Sequence, residues 1–140
     1  TVLIHNIMKK IGFIIGICLL FSFVTKAQEK VYFDANWNIS DKENAVYYRS
    51  ITSKKTKQEW IIDYYISGKK AKEVASVKGK AEGAFSMFYE SGELMTAGRY
   101  VNDEKDGIWK TYYKNGKIKE KGKYQNGEKV GVWKTFYKND

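Results

Sequence analysis

The residues best placed to do chemistry are lysines. Lys110, Lys114, Lys117, Lys119, Lys121, Lys123, Lys134 and Lys138 crowd the last third of the chain, with Tyr112 and Phe136 among them. Alternate residues of a strand share a face. Counted that way in paired strands, these side chains fall together on one face with Ile108, and Glu120 falls on the other. A row of ammonium groups with no acid inside it is suited to anions: acidic lipid headgroups, lipopolysaccharide phosphates or an acidic protein surface. The same row would also keep exposed strand edges soluble. Lysines mixed with rings can hold single-stranded nucleic acid as well, but an exported chain meets little of it, so no nucleic-acid partner is expected.

Other chemistry lacks its parts. The one histidine, His5, and the one cysteine, Cys18, both precede Ala27. If that segment is removed, no Cys/His zinc site, Ser-His-Asp triad, cysteine nucleophile or disulfide can form. The carboxylates are scattered, and their spacing places no glycosidase pair. The Asn-Gly steps recur as turns, without the strand-loop-helix setting of a phosphate loop. We expect no enzyme and no cofactor or metal.

A repeat must position the lysines. Gly83, Gly107 and Gly131 are 24 residues apart, followed two places on by Phe85, Trp109 and Trp133. Phe88-Tyr89, Tyr112-Tyr113 and Phe136-Tyr137 keep the step, as do Gly92 and Gly116, then Gly98 and Gly122, then Tyr100 and Tyr124. An earlier unit, "WIIDYYISGKK", puts Tyr64-Tyr65 and Gly68 on the same step.

Each unit reads as a β-hairpin, because rings and β-branched residues favour strands and Asn115-Gly116 is a two-residue turn signal. That turn sets Lys114 opposite Lys117, Tyr113 opposite Ile118, Thr111 opposite Glu120, Trp109 opposite Gly122 and Gly107 opposite Tyr124. The preceding unit gives Phe85 opposite Gly98 and Gly83 opposite Tyr100. Each large ring would then cover the bare backbone of the glycine facing it. Trp109, Tyr113, Ile118, Tyr124, Trp133 and Tyr137 form the second face. Trp109 and Trp133 read as repeat core, although an exposed aromatic row could also stack on sugars or pack a partner.

"GIWKTYYKNG" with "GKYQNG", and more loosely "GAFSMFYESG" with "GRYVND", resemble the MORN-repeat variant family. They are also similar to the bacterial YwqK-family antitoxins, over about residues 59–140. The resemblance implies an elongated antiparallel meander of hairpins that serves as an interaction scaffold without catalysis. The first unit departs from the pattern. Glu59 stands for the opening glycine, Trp60 comes one place early and Val74 replaces the later glycine, so a bulge or register change is expected near Trp60.

The first 27 residues read differently. Met8-Lys9-Lys10, an apolar run over 11–24 and Thr25-Lys26-Ala27 make a signal peptide with cleavage after Ala27. The apolar run is shorter than the roughly 20 residues of a spanning helix. Ile17 before Cys18 does not suit a lipobox. Losing Lys9, Lys10 and Lys26 lowers the net charge from +9 to +6.

The expected fold is all-β: an antiparallel meander of repeated MORN-like hairpins with a 24-residue period, preceded by a signal-peptide helix. The expected divisions are 1–27 (upstream residues and signal peptide), 28–57 (an N-terminal strand cap) and 58–140, with units 59–82, 83–106, 107–130 and a partial 131–140. Strands are expected at 31–33 and 45–51 in the cap, with Trp37 plugging it. The expected role is an exported interaction module, periplasmic or at the cell surface, binding another envelope protein. The alternative is a peripheral binder of anionic envelope lipid. The last strand, 131–138, would have no hairpin partner beyond it. Its lysines would either protect that edge or leave it to a partner's strand.

Overall fold

The computed structural model describes residues 29–51 and 58–138. The expected signal-peptide helix, His5, Cys18 and Asp140 lie outside them. The strands are β1 (Lys30–Phe33), β2 (Ile39–Ser40), β3 (Tyr47–Ser50), β4 (Gln58–Tyr65), β5 (Lys70–Val77), β6 (Lys80–Phe88), β7 (Leu94–Val101), β8 (Glu104–Tyr112), β9 (Ile118–Gln125) and β10 (Glu128–Thr135). They form one antiparallel sheet in the order β10-β9-β8-β7-β6-β5-β4-β3-β1-β2. From β3 to β10 the sheet is a meander of chain neighbours. This is the expected all-β hairpin array.

Two kinds of turn alternate. On one side of the array, β5–β6, β7–β8 and β9–β10 are joined by two-residue turns at Lys78-Gly79, Asn102-Asp103 and Asn126-Gly127, where every φ is positive, from 50 to 81°. These twist the way paired strands twist. On the other side the loops have three residues. Tyr113 donates its N–H to the Lys117 carbonyl, and its own carbonyl accepts from Gly116 N–H, both at 2.9 Å. Tyr65 and Tyr89 do the same in their hairpins.

Asn115-Gly116 is therefore not a two-residue turn. Only Gly116 is left-handed there, at φ 82°, while the Asn115 side chain accepts from Lys117 N–H at 3.0 Å. Lys114 sits in the loop and does not oppose Lys117. The extra loop residue is absorbed by a bulge, so that Tyr112, not Tyr113, pairs with Ile118.

Away from the turns the expected register holds: Gly107 pairs with Tyr124, Trp109 with Gly122, Thr111 with Glu120, Gly83 with Tyr100 and Phe85 with Gly98. The covering of glycines differs. A Cβ on Gly98 would lie 2.2 Å from the Trp109 ring, and one on Gly122 would lie 2.2 Å from the Trp133 ring. Each tryptophan thus covers the glycine of the preceding hairpin, and for Trp109 this is not Gly122, the one it pairs with.

Bulges explain this. Between Ala97↔Lys110 and Arg99↔Asp106, residues 107–109 stand against Gly98 alone. Gly107 enters that bulge at φ 71°, a conformation that costs a side-chain-bearing residue energy. The bulge tips Trp109 back over β7. Gly131 and Trp133 repeat the device over β9.

No such bulge forms at Trp60, where a register change was expected. The β4–β5 pairing is unbroken from Gln58 to Asp63 and shifts only at Asp63/Tyr64, near the turn. Without the glycine, Ile61 takes the inward position 24 residues before Phe85, and Trp60 turns to the other face, 51% exposed.

The buried core among the described residues, Ala71, Val74, Ala75, Phe85 and Trp109, is small, as it must be where they form a single sheet layer. A ladder of hydroxyls reinforces it. Tyr65 donates to the Phe88 carbonyl, Tyr89 to the Tyr112 carbonyl and Tyr113 to the Phe136 carbonyl, at 2.7–2.8 Å. Each hairpin is thereby tied to the next.

Candidate functional site

The sheet's two faces differ in chemistry. Direct cross-strand partners share a face. One face holds a groove of about 560 Å³ whose lining includes Trp37, Val74, Phe85, Tyr100, Trp109 and Trp133. Its floor is a chain of ring contacts. Phe85 meets Trp109 at 5.1 Å, Tyr100 stands edge-on to both, and Tyr124 stands edge-on to Trp109 and Trp133 at 5.8 and 5.1 Å. Edge-to-face rings at these distances add stability beyond their buried area. Lys105 lies 4.6 Å from the Trp109 ring centre and Lys129 lies 3.9 Å from that of Trp133, a cation–π arrangement repeated on the 24-residue step. Burial, and then Tyr124, raises the Tyr100 phenol above its usual value. The Nε1 atoms of Trp109 and Trp133 are buried without a hydrogen-bond partner.

Beside the rings runs a polar row. Arg49, Asp63, Lys72, Met87, Thr96, Thr111, Glu120 and Thr135 are successive cross-strand partners from β3 to β10. At its β3 end Asp63 is fully buried and takes two cations. Arg49 reaches it through Nε at 2.6 Å and through a terminal nitrogen at 2.9 Å, and Lys72 Nζ stands at 3.0 Å. At the β9 end Glu120 meets Lys129 at 3.4 Å, both partly exposed.

Trp37 closes the β3 end. It stacks on Tyr47 at 3.9 Å with an interplanar angle of 4°, and the Lys72 ammonium lies 3.6 Å from its ring centre. Its loop is pinned: Asp34 Oδ1 accepts from the N–H groups of Asn36 and Asn38 at 2.8 and 3.0 Å. Trp37 itself is left-handed at φ 67°, a strain that persists only where the surroundings enforce it.

The opposite face carries a second set of lysines. Lys110 pairs with Lys121 and Lys121 with Lys134, a direct row over β8, β9 and β10. Lys123 stands opposite Ile108 and Val130, near the exposed Ile108 and Val132. Among the described residues no ion pair involves Lys110, Lys121, Lys123 or Lys134. Lys119 lies in the bulge, its ammonium 5.8 Å from the Tyr113 ring centre, and Lys121 lies 5.5 Å from that of Phe136. Lys138 follows β10 and is exposed. Tyr112 and Phe136 are half-buried, and their carbonyls accept the tyrosine ladder.

The sequence pointed to the Lys110–Lys121–Lys134 row, misplaced Ile118, which pairs with Tyr112 on the lysine face because of the bulge at Lys119, and missed the polar row. Arg49, Asp63 and Lys72 come from three strands, and the β3–β4 and β4–β5 registers together join them. Among the described residues no group of His, Cys, Asp and Glu could hold a metal ion.

The two most regular hairpins now have a family counterpart. Residues 81–102 and 105–126 match the MORN repeat variant. The match falls on β6–β7 and β8–β9, the hairpins that carry the glycine bulge and its ring; the cap and the Arg49–Asp63–Lys72 cluster lie outside it. No curated protein and no solved structure matches the chain. The matched hairpins therefore form the ring floor as far as Tyr124, Trp133 on β10 extends it, and the residues before them close the other end.

Proposed function

We propose that the protein is a non-catalytic scaffold of the bacterial envelope, exported by its N-terminal segment, that binds a protein partner along the groove of its MORN-variant sheet. One observation carries this reading: a single-layered sheet keeps a continuous aromatic floor on one face, in a groove of about 560 Å³ with charged groups at both ends. Sites of that size and lining, apolar with a few placed polar groups, are the usual form of a binding site. The likeness to YwqK-family proteins belongs to the same proposal as a scaffold likeness; toxin neutralisation in the cytoplasm sits badly with export.

A photo-crosslinking residue at Thr111, on the groove face, tests it against one at Lys110, on the other. In the native host, an adduct of defined mass is expected from position 111 alone. Adducts from position 110 only, or from neither, overturn the reading. Fractionation of the same cells should place the chain in the envelope.

A second reading has its own observation, the three-strand row Lys110–Lys121–Lys134. Like charges directly opposite one another are unfavourable by a few tenths of a kcal/mol each, and an anionic surface would relieve them. Binding to phosphatidylglycerol vesicles should weaken steeply with salt and be lost when these three lysines become Gln. Salt-insensitive binding, or none, removes this alternative.

A further inference from the structure

We propose that the groove takes an extended peptide segment of its partner in one direction only, laid across the strands, with a carboxylate held by Arg49 and Lys72 and a cationic end at Glu120. This rests on the groove reading above and adds the chemistry and polarity of the occupant.

Charge is the first argument. Asp63 is one buried anion with two cations on it, so among the described residues this cluster of three side chains carries a net charge of +1. The donors are in surplus too. Arg49 has five N–H groups and Lys72 three, and Asp63 takes two of the first and one of the second. Both cations line the groove. A second carboxylate there would balance the charge and use the spare donors in short, charge-assisted bonds. At the far end Lys105 stands over the Trp109 and Tyr124 rings, and among the described residues the ion pair of Glu120 is the long, partly exposed contact with Lys129. Such a pair is worth little and is easily exchanged.

The second argument compares the units. The ring, glycine and tyrosine positions are alike in the two hairpins 83–106 and 107–130. The row beside them is not. On the 24-residue step its positions read Asp63 and Lys72, then Met87 and Thr96, then Thr111 and Glu120. The repeating positions build the sheet, so the row is where the units are free to differ, and that is where recognition can be written. Its middle offers two hydroxyls, on Thr96 and Thr111, beside the apolar floor. That suits a peptide backbone with apolar side chains on one flank.

Length follows from the sheet. Lys72 on β5 and Glu120 on β9 are four strand spacings apart, about 19 Å. At about 3.3 Å per extended residue, six residues span it.

The test uses the full chain and hexapeptide mixtures Lys-x-x-x-x-Leu, with x drawn from Ala, Ser, Leu and Phe. One mixture ends in the free acid and one in the amide; a third, Lys-x-x-x-x-Glu amide, carries its carboxylate on the side chain. Retention by the protein is read by ultrafiltration and mass spectrometry. The acid mixture should be retained at least tenfold over the Leu amide. Lys72→Gln, which leaves Asp63 its Arg49 partner, should abolish that difference. Retention of the Glu amide at the acid's level makes any peptide carboxylate sufficient; its absence restricts the site to a C-terminus.

Equal retention of acid and Leu amide overturns the proposal and leaves the groove reading standing. Retention of neither overturns both. Should Lys72→Gln unfold the chain, Glu120→Gln tests the other end. It should lower retention of the acid mixture to that of an acetyl-Ala-x-x-x-x-Leu acid mixture, and an unchanged preference for the amino-terminal Lys would overturn the polarity.

Discussion

At the scale of the residue, the fold depends on a few atoms that are missing. Gly98 and Gly122 have no Cβ because a tryptophan from the next strand lies where one would be, 2.2 Å away. Gly98→Ala must therefore displace Trp109, which has rings on both sides. Gly122→Ala must displace only Trp133, on the edge strand, which can move. We expect Gly98→Ala to lose at least 1–3 kcal/mol, as overpacking does, and Gly122→Ala to lose less; urea unfolding of the two variants checks the order. Equal losses would contradict the covering scheme. The spacing of these glycines was visible in the sequence, and so was the residue facing each across its hairpin. Which ring covers which glycine was not, because that depends on a bulge between hairpins.

At the scale of the element, two devices hold otherwise independent pieces together. The tyrosine ladder joins each hairpin to the next through one hydroxyl. Tyr89→Phe keeps the ring and loses the bond to the Tyr112 carbonyl, which should cost about 0.5–1.5 kcal/mol in equilibrium unfolding. The Asp34 loop holds Trp37 on Tyr47. The N–H of Asn38 is the main cause holding the Asp34 carboxyl below its ordinary value of 3.8. Its folded pKa being depressed, its contribution is present above 3.8 and is lost as pH falls through the lower folded value. The near-ultraviolet circular dichroism of the Trp37–Tyr47 stack, taken as the difference from Trp37→Phe, should fade on acidification below 3.8 and be absent at neutral pH in Asp34→Ala. A signal that persists in Asp34→Ala would remove the carboxylate from this role.

The turns show how an element can be found and still be misread. Asn115-Gly116 marks a hairpin under either turn type, since both accept a left-handed glycine. The three-residue form is set by the strands on either side, whose bulge at Lys119 absorbs the added residue. The two-residue form went instead to Lys78-Gly79, Asn102-Asp103 and Asn126-Gly127, between the units.

At the scale of the whole molecule, a single-layered array is stabilised by each hairpin's contacts with its neighbours. Trp109, in the middle, touches rings on β6, β7 and β9; Trp133 closes the row. Trp109→Ala should cost about 3–5 kcal/mol, as large core truncations do, and lower the melting temperature of the whole sheet. Trp133→Ala should cost less and chiefly free β10, seen as faster amide exchange in β10 with β6 and β7 still protected. Loss of protection throughout the sheet on Trp133→Ala would mean that the array does not behave as a chain of neighbours.

By itself the sequence determined the hairpins, their 24-residue period, most of their register and the face that carries Lys110, Lys121 and Lys134. These follow from local rules of alternation and turn chemistry, repeated often enough for one unit to check another. Only the tertiary structure decided that each ring serves the preceding hairpin, that Trp60 turns outward and that Arg49, Asp63 and Lys72 meet beside Trp37. Those outcomes depend on bulges and on pairings outside the repeat, where a one-residue slip moves a side chain to the other face and no second copy of the unit exists to fix the count.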